Sequence, residues 1–197
     1  MVSWEVLGGA RVIVEWPTLE VDDLVAAGEV ALQEGCRAWS LDVADLALLA
    51  QLRTIFARRA VIGVRGVRVP SQAKAAHEAG ADFGLCPVTT RGLLTQTALP
   101  LALGALTPNE IVAAAAKGGA VQVIPADALG TAYSRSLPAM FPDVALIATG
   151  RLERFVVDLW LDAGAAAVVP QTLLPADSLT DPDLSDLRSR LQGIADA

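Results

Sequence analysis

The 197-residue chain is poor in the residues that most often build metal and nucleophile chemistry. It has one histidine, His77, two cysteines, and only two lysines, Lys74 and Lys117, among its 15 basic residues. A single histidine excludes a multi-histidine metal centre. Glu15 and Asp42 could at most hold Mg²⁺ together with waters and ligand oxygens, so neither a metal nor a cofactor is expected. Cys36 and Cys86 both lie in apolar runs, too few for a disulfide framework. The start, Met1-Val2-Ser3-Trp4-Glu5, lacks the basic-then-apolar pattern of a secretory leader. Together these features predict two reduced core thiols in a cytoplasmic protein. No apolar run reaches the roughly 18 residues of a membrane helix, so no membrane partner is expected. The net charge of −7 and pI of about 4.6 argue against nucleic acid, whose phosphates call for clustered Lys and Arg.

What the chain does have is apolar bulk. Hydrophobic residues make up 53% and mean hydropathy is +0.47. With no membrane span to absorb it, that surplus points to a subunit interface. Strand-like runs rich in Val, Ile, Leu and Ala occur at 11–16, 37–43, 60–67, 82–87, 100–106, 120–126, 144–150 and 165–171. Such runs suit strands covered on both faces. Helical patterns lie between them, as at 21–34, 70–79, 108–117 and 152–163, and a short final helix follows the acidic, turn-rich stretch 175–186. Eight alternations with short connections predict an α/β chain folded as a single-domain (β/α)8 TIM barrel over residues 1–197.

Local chemistry agrees. Glu34-Gly35, Ala79-Gly80, Gly118-Gly119 and Ala163-Gly164 each stand between a helix and the next strand, where glycine permits the left-handed residue that ends a helix. Thr107, Pro108 and Glu110 read as an N-cap, a first-turn proline and the acid of a capping box.

In a barrel of this kind, reactive groups gather at the C-terminal ends of the strands. Alternation along each strand offers Glu15, then Ser40 and Asp42, then Arg65 with Arg68 beyond it, then Cys86, Gln122, Thr149 with Arg151, and Gln171 with Thr172. Asp42 and Arg65, on neighbouring strands, could pair either as a working acid and its partner or as a means of neutralising a buried carboxylate. Cys86 has no histidine near it in sequence and reads as a small core hydrophobe. Lys74, Lys117 and His77 fall on helices and read as surface residues. Gln122 is a lone amide in the apolar run Ala120-Val121-Gln122-Val123-Ile124-Pro125-Ala126-Asp127, and burying an unpaired amide costs about 1–3 kcal/mol.

That run, with Glu78-Ala79-Gly80-Ala81-Asp82-Phe83 and Ala148-Thr149-Gly150, resembles the 2-keto-3-deoxy-6-phosphogluconate (KDPG) and 4-hydroxy-2-oxoglutarate aldolase family over about 12–175. The resemblance implies a barrel, a trimer and aldol chemistry. In the family, strand six reads roughly Phe-Lys-Phe-Phe-Pro-Ala-Glu, and its lysine forms a Schiff base with the substrate. Here Pro125-Ala126-Asp127 keeps the ending, but Gln122 stands at the lysine's place, and an amide is not a nucleophilic amine. Ser40 stands for the family's proton-shuttling glutamate, Ala44 for its carboxylate-holding arginine, and Cys86-Pro87-Val88 for its Ser-Pro-Gly. The phosphate-binding Gly-Gly becomes Gly150-Arg151, and Gly-Gly-Ser becomes Val169-Pro170-Gln171. Phosphate capture needs free backbone N–H groups, and Pro170 has none.

Two readings follow. In one, the chain is a lyase-like enzyme acting on a small oxo-acid or carbonyl compound without an imine. Asp42, Glu15 and Gln122 would be catalytic, and Arg65, Ser40, Thr149 and Arg151 would bind substrate. In the other, it is a catalytically inactive homologue serving as an oligomeric binding or structural subunit. A homotrimer is expected in both.

Overall fold

The structure is a computed structural model and describes residues 4–89, 92–93, 97–117, 119–175, 179 and 183–195. Eight strands pair in sequence order, each parallel to the next: β1 Ile13–Glu15, β2 Ala38–Asp42, β3 Val61–Arg65, β4 Gly84–Cys86, β5 Leu101–Ala105, β6 Ala120–Val123, β7 Leu146–Gly150 and β8 Ala167–Pro170. A parallel bridge between Val12 and Val168 closes the cylinder, and the Val168 amide donates to the Arg11 carbonyl at 2.9 Å. The chain is a (β/α)8 TIM barrel.

Each strand lies inside its expected run but is shorter. At the end of β4 and the start of β5 the trimmed positions are Pro87 and Pro100, which cannot donate to the ladder. Among the described residues, seven helices cover the outside: α1 Val21–Gln33, α2 Leu46–Phe56, α3 Pro70–Glu78, α4 Pro108–Ala115, α5 Gly130–Met140, α6 Arg154–Ala163 and α7 Ser185–Ala195. The described residues between β4 and β5 contain no helix, so among them the expected fourth alternation is a loop.

The helix ends follow their sequences. Thr107 Oγ1 accepts from the Glu110 amide at 3.4 Å, and Glu110 Oε2 accepts from the Thr107 and Leu106 amides at 2.8 and 2.9 Å. Those backbone donors hold the Glu110 carboxyl below its ordinary range. Gly35, Gly80, Gly119 and Gly164 all take positive φ, from 81° to 110°, as helix-ending glycines do. Gly118, the other half of its glycine pair, lies outside the described residues.

Two apolar layers hold the barrel. Val14, Trp39, Leu41, Ile62, Leu103 and Val123 face outward and pack beneath the helices. There Trp39 meets Trp16 and Phe56 edge to face, at 5.9 and 4.7 Å between ring centres. Inside the cylinder, Ile13, Ala38, Phe83, Ala102, Ala120 and Ile147 form a separate core. The turn Glu5–Leu7 caps its lower end, with Trp4 against Phe83 at 5.5 Å. Gly63 makes room for that filling: a Cβ there would stand 2.5 Å from the Phe83 ring.

Cys86 is not among the inward-facing residues, which corrects its place among the site candidates. Arg65 is the ladder partner of Leu85, so Leu85 shares its inward face and Cys86 points to the helix layer. Burial pushes the Cys86 thiol up to about 12 and that of Cys36 to about 11, so both stay protonated core thiols at neutral pH.

Candidate active site

The interior of the barrel changes character along its axis. Tilted strands place side chains from alternate strands on common levels. The lower levels hold Ala38, Phe83, Ala120 and Ala167, then Ile13, Gly63, Ala102 and Ile147. Above them come Ser40, Leu85, Gln122 and Val169, then Glu15, Arg65, Gly104 and Thr149. Asp42 and Gln171 stand at the C-terminal rim. Six of the seven predicted site residues thus fall in the upper half of one barrel.

Glu15 and Arg65 form the centre. Arg65 Nη1 donates to the backbone carbonyls of Trp16 and Ser40 at 3.0 and 3.1 Å, and Nε lies 3.9 Å from Glu15 Oε2. The guanidinium is therefore fixed, and its carboxylate partner is Glu15. This corrects the expected Asp42–Arg65 pair: Asp42 instead accepts from the Ala44 amide at 3.0 Å in a tight turn. Burial pushes the Glu15 carboxyl above its ordinary value, against the lowering effect of Arg65 and of the Gln171 side chain; nearby Asp42 adds to the rise. A carboxyl so placed can hold or accept a proton closer to neutral pH than a surface carboxylate can.

Beneath this pair lies a sealed polar floor. Gln122 is 3% exposed, and its Nε2 donates to Thr149 Oγ1 at 3.0 Å. Gln122 Oε1 and Ser40 Oγ are buried without a partner. Each such orphan costs stability that an apolar residue would not.

Arg151 stands apart, with its side chain 81% exposed. Its amide donates to Asp127 Oδ1 at 3.1 Å, and its Nε lies 3.9 Å from Oδ2. Asp127 reaches this position because residue 150 is glycine: a Cβ there would stand 2.3 Å from Asp127 Oδ1. Asp127 was not among the predicted site residues, although the Pro125-Ala126-acid ending was its signal.

Lys74 sits on the exposed surface of α3, 3.9 Å from Glu78 one turn away, and Lys117 is exposed in the turn that follows α4. His77 is exposed on α3. Among the described residues there is no group of three or more His, Cys, Asp or Glu suited to a metal ion, and no helix is long and apolar enough to cross a membrane.

Three cavities open beside these elements. One of about 360 Å³ lies at the upper ends of β4 to β6, lined by Pro87, Thr89, Gly104, Glu110 and Ile124. A second of about 390 Å³ lies between the β7–β8 rim and α7, lined by Arg154, Pro170, Thr172 and Arg190. A third, about 560 Å³, is at the opposite end, against Trp4, Pro100 and Asp143, away from the upper polar groups.

The family model for KDPG and KHG aldolases matches residues 6–189. The chain belongs to the KDPG and KHG aldolase family. Its fold is that of the KDPG aldolase from Legionella pneumophila, captured with pyruvate at low pH as a covalent carbinolamine intermediate. That pair has a TM-score of 0.83 and 22% identity over 96% of each chain. A 4-hydroxy-2-oxoglutarate/KDPG aldolase matches with TM-score 0.82 and 24% identity, over 100% of this chain and 98% of that one. A cube-shaped cage designed by fusing symmetric oligomeric domains matches with TM-score 0.81 and 20% identity, over 94% of this chain and 70% of that one. No curated protein sequence matches the chain.

Proposed function

We propose that this aldolase-family barrel cleaves or forms a carbon–carbon bond in a small carbonyl or oxo-acid compound without a Schiff base. The observation that carries this reading is the partly buried Glu15 carboxyl, raised in pKa and set beside a fixed Arg65 in the upper barrel. Glu15, assisted by Asp42, takes the proton from the hydroxyl β to the carbonyl. The bond between the α and β carbons breaks, and its electron pair moves to the carbonyl oxygen. Arg65 stabilises the resulting enolate as a fixed positive charge. Return of the proton to the α carbon releases two carbonyl products. Gln122, Thr149 and Ser40 form the polar floor beneath Glu15 and Arg65, on the side of the barrel where substrate would bind, and Arg151 lies at the outer rim. In this reading the protein is a cytoplasmic homotrimer, and the apolar surplus of the chain supports its self-association.

One observation favours a second reading, a non-catalytic binding or structural subunit. Arg65 already satisfies two backbone carbonyls and a carboxylate, which is how a fold neutralises a buried acid with no reaction in view. The two readings separate in a cleavage assay on a panel of β-hydroxy carbonyl and β-hydroxy oxo-acid compounds. The assay is run before and after treatment with pyruvate and borohydride. The proposal expects cleavage that survives the treatment and is lost in Glu15→Gln. Absence of cleavage across the panel supports the second reading. Inactivation with an adduct on Lys74 or Lys117 would overturn the imine-free mechanism.

A further inference from the structure

We infer that Gln171, at the seam where the barrel closes, is the positioning residue for Glu15: its side-chain amide fixes the carboxylate that takes the proton. This rests on the carbonyl reading above and names what controls its base.

The strand register brings the two residues together. The bridge between Val12 and Val168 joins β1 to β8 in parallel, and three residues further along each chain segment stand Glu15 and Gln171. Val169 belongs to the inner core, so alternation turns Gln171 inward as well. The backbone is held at this point. The Gln171 amide donates to the Gly150 carbonyl at 2.8 Å, and the Leu173 amide donates to the Pro170 carbonyl at 3.1 Å. From there the Gln171 side chain hydrogen-bonds to the Glu15 carboxyl. Its Nε2 is the donor, because an ionised carboxylate only accepts.

The other neighbours of Glu15 supply charge rather than direction. The charged groups that face it are Arg65 from β3 and Asp42 from β2, whereas β8 brings only the uncharged amide. Arg65 Nε lies 3.9 Å from Glu15 Oε2, beyond hydrogen-bond length. Arg65 Nη1 is given to the Trp16 and Ser40 carbonyls, at 3.0 and 3.1 Å. Asp42 is tied to the Ala44 amide and acts on Glu15 as a like charge. A charge at that distance attracts over a wide range of directions, but a hydrogen bond selects one. Among the described residues, Gln171 is the one side chain that hydrogen-bonds to Glu15.

A donor to a carboxylate also favours its ionised form. Burial and Asp42 push the Glu15 carboxyl up, and Arg65 and Gln171 limit the rise. Gln171 therefore keeps Glu15 available as a base at a pH where burial would otherwise leave more of it protonated. Gln171 is itself exposed at the rim, so it can be replaced without opening the core.

The test is a titration of the Glu15 side-chain carboxyl by carbon-13 NMR on the full chain, with Glu15→Gln identifying its signal. Gln171→Ala removes the donor and should raise the Glu15 midpoint by about half a pH unit or more. Gln171→Glu puts a like charge in the donor's place and should raise it further, with the two carboxyls titrating as a coupled pair. The second readout is exchange of the α hydrogens of dihydroxyacetone with solvent deuterium, corrected for buffer, which rises as Glu15 loses its proton. In Gln171→Ala its rising limb should move to higher pH by the same amount as the NMR midpoint. A residue that served only the fold would alter unfolding and leave both curves in place. A Glu15 midpoint in Gln171→Ala within about 0.2 pH units of the parent would overturn this inference. A parent with no exchange above buffer would overturn the carbonyl reading, and the NMR titration would still decide the hold of Gln171 on Glu15.

Discussion

The lower and upper halves of the barrel interior are built by the same eight strands, yet they obey different rules. Below, Ile13, Ala38, Phe83, Ala102, Ala120 and Ile147 fill the cylinder with side chains that need no partner. Above, two residues further along the same strands, stand Glu15, Ser40, Gln122 and Thr149, and Arg65 stands two residues beyond Gly63. This half holds a partly buried carboxyl with a raised pKa and two orphaned polar atoms. The lower half is arranged for stability, whereas the upper half gives some away. Local violations of good packing gather where a protein does something else with the residues.

The largest effect should come from breaking the lower half. Phe83→Ala removes a fully buried ring that also packs against Trp4, and should cost about 3–5 kcal/mol in denaturant unfolding. Outside the comparison, Thr107→Ala should cost about 1 kcal/mol through loss of the α4 cap. It serves as a control for an ordinary, fully satisfied polar group. In the upper half, Ser40→Ala removes a buried hydroxyl with no partner, so the sign should reverse: no loss, or a gain of up to about 1 kcal/mol. A loss of 2 kcal/mol or more on Ser40→Ala would mean that the floor is a satisfied network and would erase the contrast. Arg151→Ala, with its side chain 81% exposed, should stay within about 0.5 kcal/mol of the parent.

The pH dependence sharpens the same contrast. The folded-state pKa of Glu15 lies above its unfolded value. Its protonated form is therefore favoured in the native state, and its stabilising effect is complete below the ordinary carboxylate range. That effect is lost as pH rises from the unfolded pKa through the folded one. The stability of Glu15→Gln relative to the parent should therefore climb across this window and level off above it. A flat difference would mean that Glu15 is not perturbed.

Much of the architecture was legible because it is encoded locally. Runs of Val, Ile and Ala marked each strand, the glycines after helices marked the ends, and Thr107 to Glu110 gave the start of α4. The upper ring was legible in membership but not in pairing. Alternation alone placed Asp42 and Arg65 side by side, and ladder register agrees, yet Arg65 turns towards Glu15 and two backbone carbonyls that no local pattern announces. Cys86 was misplaced because β4 is only three residues long, and parity counted over so short a strand needs the register with β3 to fix it. Asp127 went unread because its role depends on the close approach that Gly150 permits from another strand.

The central claim is that Glu15 and Arg65 activate a carbonyl compound without an imine. The most direct measurement is exchange of the α hydrogens of dihydroxyacetone with deuterium from solvent, followed by NMR, for the parent protein and for Glu15→Gln. The account predicts exchange above the buffer rate in the parent that persists after treatment with borohydride, and exchange at the buffer rate in Glu15→Gln. A parent that exchanges no faster than buffer, or a Glu15→Gln variant that exchanges as fast as the parent, would contradict it.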